Sequence, residues 1–134
     1  MNNTIAQIVI CKDIISEKNI ELVDPIIMLE VPFLPTVYSF KIFVNFYSEM
    51  LNDGKEHLIR ISCLNKDTEE LIIDSEGSTI IPTEKFHLGM NVDEIILKNK
   101  GIYEVLVYID GKIISSQTFG IKVSKQNEEG DYNE

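Results

Sequence analysis

Alternation of apolar and polar residues is the main pattern along the chain, and it predicts strands rather than helices. The clearest case is the segment 37–47, whose large apolar residues share one side: Tyr38, Phe40, Ile42, Val44 and Phe46. A period of two residues is typical of a half-buried strand, because successive side chains point to opposite faces of a sheet.

Seven further strands are predicted, at 4–12, 20–31, 56–64, 69–74, 92–98, 102–109 and 112–123. The period at 92–98 is unclear, so a helical turn is the alternative there. Pro25 has no amide donor, so the segment 20–31 is predicted to be an edge strand or to contain a bulge. Residues 75–91 are less regular, and we expect a long connection there that crosses between sheets. Asp110 and Gly111 predict a type I′ hairpin turn, and a phase change after that turn predicts a bulge near 115–118.

Seven to eight strands without a helical period predict an all-β, immunoglobulin-like antiparallel β-sandwich over residues 1–123. Leu97, Gly101 and Tyr103 have the spacing of the tyrosine corner in such sandwiches, where the Tyr hydroxyl binds a backbone group upstream. The chain lacks Trp, and Val105 stands where an immunoglobulin domain has its second Cys. Residues 124–134 are rich in acids and poor in apolar groups, so we predict a disordered acidic tail.

Composition narrows the class of protein further. A length of 134 residues and a hydrophobic fraction of 44% suit one globular domain. The formal net charge of -10 disfavours direct binding to nucleic acid, because phosphate backbones repel such a surface. The N-terminus has neither a basic start nor a long apolar run, so we expect a cytoplasmic protein without a membrane contact.

Catalytic and metal-binding patterns are weak. His57 and His87 are thirty residues apart and match no metal-binding spacing, so we predict no metal site and no cofactor. Cys11 and Cys63 lie in apolar runs, where burial raises the thiol pKa and removes reactivity. Neighbouring acids such as Glu69 and Glu70 would face opposite sides of a strand and cannot act as a catalytic pair. We therefore predict no catalytic residues and no enzyme activity.

Two groups of residues are candidates for contact with a partner. The acids of the predicted hairpin rim could dock a basic protein, and they are Asp67, Glu69, Glu70, Asp74 and Glu76. A solvated rim that serves only solubility is the simpler interpretation. Apolar residues on the polar sides of their strands could contact a partner, a second copy or another sheet, and they are Phe43, Tyr47, Ile102, Leu106 and Tyr108.

The chain also resembles an uncharacterised family of small bacterial and phage sandwich proteins. The resemblance covers about residues 4–123 and rests on the opening strand at 6–9, the proline-bearing link before an aromatic strand, the segment 57–61, and the closing segment 101–111. These are structural motifs, and the resemblance transfers no catalytic residues.

The sequence thus predicts a non-catalytic protein-binding or structural module, encoded by a phage or mobile element. The alternative is an anti-CRISPR-like acidic inhibitor that mimics nucleic acid and blocks a host defence or DNA-binding protein. The expected partner is a protein, basic under the alternative, and a homodimer remains open.

Overall fold

The structure, a computed structural model, describes residues 3–124, and these contain nine β-strands. In chain order they are β1 (Ile5–Ser16), β2 (Ile20–Pro25), β3 (Met28–Val31), β4 (Thr36–Tyr47), β5 (Glu56–Asn65), β6 (Leu71–Ile80), β7 (Lys85–Leu97), β8 (Gly101–Ile109) and β9 (Lys112–Val123). The tail predicted at 124–134 lies outside the described residues except for Ser124. In the described part of the chain, no helix is long and apolar enough to cross a membrane.

The strands form two sheets that pack face to face. One sheet has the order β2-β1-β4-β7 and the other has the order β3-β9-β8-β5-β6. The predicted all-β sandwich is confirmed, with nine strands instead of seven to eight. The pairing is antiparallel except between β3 and β9, which run parallel. The immunoglobulin-like class remains a prediction.

The segment 20–31 was predicted to be one strand and instead contributes to both sheets. β2 ends at Pro25, directly after Asp24, whose φ is +50°. The chain then crosses to the second sheet, where β3 pairs with β9. β2 lies at the edge of its sheet, as expected from a proline that cannot donate to a neighbour.

The long connection predicted at 75–91 is wrong. β6 continues to Ile80 and β7 begins at Lys85, so only residues 81–84 connect these two strands, which lie in different sheets. The sequence hid β6 because its second half is mostly polar or small, and the strand is exposed on both sides there. In β7, inward residues including Phe86, Leu88 and Met90 do alternate with outward ones.

The core lies between the sheets and contains residues from both inner faces, including Phe40, Ile42, Val105 and Val107. Tyr103 is fully buried beside Phe119, and its hydroxyl donates to the carbonyl oxygen of Asn99 at 2.5 Å. The hydrogen bond expected of a tyrosine corner is therefore present.

The turn between β8 and β9 also has the predicted geometry. Asp110 and Gly111 have φ values of +51° and +84°, which a type I′ turn requires at its two central positions. The register shifts between Val107 and Tyr108, and their partners on β9 are Ser115 and Ile113. The bulge therefore lies just before the predicted range of 115–118.

Candidate functional site

Strand β6 is an open edge of the five-stranded sheet. It pairs with β5 alone, in register from Glu56 opposite Ile80 to Cys63 opposite Ile73. Its acids Asp74 and Glu76 lie opposite Ser62 and Arg60 and therefore share the outer face with them. An unpaired edge offers a row of backbone N–H and C=O groups to another chain.

A groove opens beside this edge, where β6 and β7 border the gap between the two sheets. Its volume is about 320 Å³. Ile59 and Ile61 from β5 and Leu88 and Met90 from β7 supply its apolar lining. Gly77 leaves room on the β6 side, since a Cβ added there would meet no atom within 4 Å. The groove thus reaches the hydrophobic core from the side of the sandwich.

The rim acid Asp74 is already paired within the chain. Arg60 donates to it twice, from Nε at 2.7 Å and from Nη2 at 3.2 Å. This contact lowers the pKa of the Asp74 carboxyl and raises that of Arg60. The same guanidinium lies 4.8 Å from the ring centroid of Tyr108. Asp74 is therefore a direct partner of Arg60. Glu76 lies beside the groove and opposite Arg60, and its charge also helps to raise the pKa of that guanidinium.

The remaining three candidate acids all precede β6, and they lie in the turn before that strand or directly after this turn. The Lys98 ammonium is 3.7 Å from the Glu70 carboxylate. Glu69 has φ +61°, and its amide donates to the carbonyl of Asn65. Asp67 is exposed, and its amide donates to the Asn65 side chain at 2.8 Å. The five acids therefore do not form one continuous charged surface, and Arg60 and Lys98 balance two of them.

The predicted apolar contact residues lie on opposite sides of the sandwich. Phe43 points outward from the four-stranded sheet, but its side chain is only 9% exposed, so little of it is available to a partner. It stacks on His87, with ring centroids 5.6 Å apart, opposite Gly89. Ile14 of β1 reaches this face as well, since its Cδ1 would lie 3.4 Å from a Cβ added at Gly89. Tyr47 on the same face is half-buried and donates to Glu49.

The other three apolar candidates share the outer face of the five-stranded sheet. Ile102 is 46% exposed, whereas Leu106 and Tyr108 are half-buried. Leu106 lies opposite Ser62 and Ser116, and Tyr108 lies opposite Arg60. Polar neighbours thus interrupt the apolar surface along β8, and the structure does not join these residues to Phe43 and Tyr47.

A charged cluster surrounds His57, and the sequence did not predict it. Its Nδ1 is 2.7 Å from Asp110 Oδ2, and its Nε2 is 2.9 Å from Asp53 Oδ1. Hydrogen bonds to Asp110 and then to Asp53 raise the pKa of His57. The same bonds lower the pKa of both carboxyls. The sequence signal was the pair of turns, Asn52-Asp53-Gly54 and Asp110-Gly111, but only the fold brings them to one histidine.

Both thiols are buried and free. Cys63 lies in the core, where loss of solvent raises its pKa to about 12. Cys11 is buried on the outer face of the four-stranded sheet, and burial raises its pKa as well. Among residues 3–124, no three His, Cys, Asp or Glu side chains are grouped so that they could hold a metal ion.

The comparisons with known proteins give a family and a structural likeness. The chain belongs to the Family of unknown function (DUF6941), whose model matches residues 7–122. No curated protein matches it in sequence.

Two solved structures of a β-glucosidase from Listeria innocua, in complex with isofagomine and with glucose, are similar in fold, each with 8% identity and a TM-score of 0.48. The matches cover 90% and 88% of this chain but only 16% of the glucosidase. The chain therefore spans a small part of the length of these enzymes.

Proposed function

We propose that this protein is a non-catalytic binding module that docks a partner protein on β6 and the groove beside it. The observation that carries the proposal is a long, open edge strand next to an opening into the core. β6 has ten residues, and it contains no proline, no lysine and no residue with positive φ. Soluble proteins commonly protect long exposed edges with such features, because an open edge pairs with other chains.

The other three edge strands differ from β6 in this respect. β2 has six residues and ends in Asp24, with φ +50°, and Pro25. β3 has four residues. β7 is long, but its pairing with β4 is interrupted near Glu94, whose φ is +52° and whose amide donates to Ser39. The pairing of β6 with β5 also has a register shift, between Cys63 and Leu64 of β5, but from Ile73 to Ile80 this pairing is unbroken and no residue has a positive φ.

Side-chain chemistry supports a non-catalytic role. Burial raises the pKa of both thiols, which keeps them protonated and unreactive at neutral pH. His57 has a carboxylate at each ring nitrogen, so neither nitrogen is available to a substrate. Buried free thiols also suit the reducing cytosol, which is the compartment we propose.

An acidic inhibitor that mimics nucleic acid is the second candidate function. The net charge of -10 favours it. Its support is weaker than that of the binding module, since Arg60 and Lys98 neutralise part of the rim that would have to imitate phosphates. A mimic of nucleic acid would need a series of unpaired acids on its surface. Docking at the groove requires only the open edge of β6. Origin from a phage or mobile element remains a prediction.

Affinity capture from the native host with matched variants tests the proposal. We expect Glu76→Lys to lose partners that the wild-type chain and Glu17→Lys both retain, because Glu17 is exposed outside the β6 region. Glu76 lies opposite Arg60, so Glu76→Lys should lower the free energy of unfolding by no more than about 1 kcal/mol, and circular dichroism should show the same fold. If all three proteins capture the same set, the partner does not dock at β6.

A further inference from the structure

We propose that the partner supplies an extended segment, with large apolar residues alternating with Lys or Arg, which adds to β6 as a further strand. This inference rests on the proposed function and specifies how the same surface is used. Strand addition to an open sheet edge obtains affinity from backbone hydrogen bonds and selectivity from alternate side chains.

The hydrogen bonds of β5 with its two neighbouring strands show which backbone groups of β6 are free to pair with another chain. The amide of Asp110 donates to the carbonyl of Leu58, so Leu58 directs its backbone groups toward β8. Along an antiparallel strand these directions alternate, so Ile59 and Ile61 face β6 and pair with Gly77 and Ser75.

The intervening β6 residues therefore direct their backbone groups away from β5. They are Asp74, Glu76 and Ser78, and β5 is the one described strand that pairs with β6. An incoming strand would find three consecutive sites for backbone pairing, spaced two residues apart. This spacing matches the repeat of an extended chain.

The groove accounts for the apolar half of the incoming segment. A strand added to β6 would extend the five-stranded sheet over the gap that β7 borders. Its inward side chains would then cover Ile59, Ile61 and Met90, which line the groove. Burial of apolar surface there would add to the affinity from the backbone hydrogen bonds.

Charge determines the outward half of the segment and argues against a second copy of this chain. Outward side chains of an added strand would lie beside Glu76, whereas Asp74 is already held by Arg60. Lys or Arg at these positions would meet an acid. A second β6 would place another Glu76 on the same edge, between two chains that each carry a net charge of -10.

A pair of peptide isomers tests the backbone pairing directly. The probe is an acetylated, amidated peptide of about eight residues that alternates Lys and Val, with one isomer N-methylated at the lysines and the other at the valines. An added strand directs only one alternate set of amides toward β6. One isomer should therefore bind about tenfold more weakly than the unmethylated peptide, and the other should stay within about threefold. Fluorescence anisotropy measures all three affinities.

A backbone variant of the protein provides the second arm. Ser78→Pro removes an edge-facing N–H, whereas Ser78→Ala removes only the hydroxyl. We expect Ser78→Pro to weaken the unmethylated peptide about tenfold and Ser78→Ala to leave it within about twofold. An unchanged circular dichroism spectrum would show that Ser78→Pro still folds. If this variant does not fold, the two N-methylated peptides test the proposal by themselves.

Equal affinities of the two isomers would overturn strand addition, because charge and composition are the same in both. No binding of any peptide would also overturn it. In either case, if Glu76→Lys still lost partners in the capture experiment, the proposal of docking at β6 would stand, with side chains instead of backbone pairing making the contact. Failure of both experiments would remove the proposed function as well.

Discussion

Strand β5 has a buried polar residue near each end, and the two residues hold the neighbouring turns in different ways. Asn65 at one end is neutral, and His57 at the other is flanked by two carboxylates. Both point inward, in register with Ile59 and Ile61. One strand thus anchors turns at both ends of the sandwich. The contact made by Asn65 is independent of pH, whereas the contact made by His57 depends on it.

Asn65 uses its whole side-chain amide. Its Oδ1 accepts from the amides of Asp67 and Thr68 at 2.8 and 3.1 Å, and its Nδ2 donates to the carbonyl of Lys100 at 3.3 Å. It thereby joins the turn before β6 to the link before β8. Gly101 is required at this junction, because its φ is +126° and an added Cβ would lie 3.2 Å from Asp67 Oδ2.

His57 joins the turn before β5 to the turn after β8. Asp53 belongs to the first turn, and Asp110 belongs to the second. Because its pKa is raised, His57 contributes stability fully below its ordinary pKa and loses that contribution as the pH rises through the folded value. The carboxyl pKa values are lowered, so their contribution is lost only as the pH falls through the folded values.

The largest effect should come from Asn65→Ala. Truncation leaves three backbone groups without their partner, and we expect a loss of about 2–3 kcal/mol in the free energy of unfolding. Urea unfolding measures this loss, which should be constant between about pH 6 and pH 9 because no ionisable group is removed. Asn45→Ala, at an exposed position of β4, is the control and should cost under about 0.5 kcal/mol. A small loss from Asn65→Ala would mean that water replaces the amide.

A smaller and pH-dependent effect is expected from His57→Gln. At about pH 6 the variant should lose about 1–2 kcal/mol, a modest value because both carboxylates are partly exposed to solvent. The difference from the wild type should shrink toward about pH 9, as the imidazolium deprotonates. Asn45→Ala, which removes no ionisable group, is the control here as well and should show no such trend. A constant difference for His57→Gln would contradict the charged contact.

The smallest effect should come from Tyr103→Phe, which removes one hydrogen bond near the Asn65 end. The ring stays packed against Phe119, so the expected loss is about 1 kcal/mol. Tyr108→Phe on the outer face of the same strand should cost less than about 0.5 kcal/mol. Thermal unfolding of the two variants compares them directly. Equal melting temperatures would show that the bond from Tyr103 to Asn99 adds nothing to stability.

Regions with strict alternation and a specific turn could be predicted from the sequence. β4, β8 and β9 have nearly the expected bounds, and the Asp110-Gly111 turn has the expected φ values. Prediction was wrong for the second half of β6, because exposed edge strands carry little apolar signal. It was also wrong at Pro25, where a single apolar segment divides between two sheets.

The candidate site could be predicted only in part. Asp74 and Glu76 do lie at an open edge, but their separation from the turn acids Asp67 and Glu69 depends on strand register. Phe43 lies on the outer face of its strand, as its position in the alternation indicated, but the pattern could not show how far it is buried there. That burial depends on contacts between residues distant in sequence, such as the stacking of His87 on its ring.

The sequence by itself determined the strands, the tight turns and the excess of acid, because each depends on residues close together in the chain. Only the tertiary structure decided which strands lie at sheet edges, where a groove opens between the two sheets, and which acids form ion pairs with a basic side chain. Those properties depend on pairing between distant segments, and a pattern of period two is the same for an edge strand and a central one. The open edge of β6 and the groove beside it are therefore properties of the assembled sandwich.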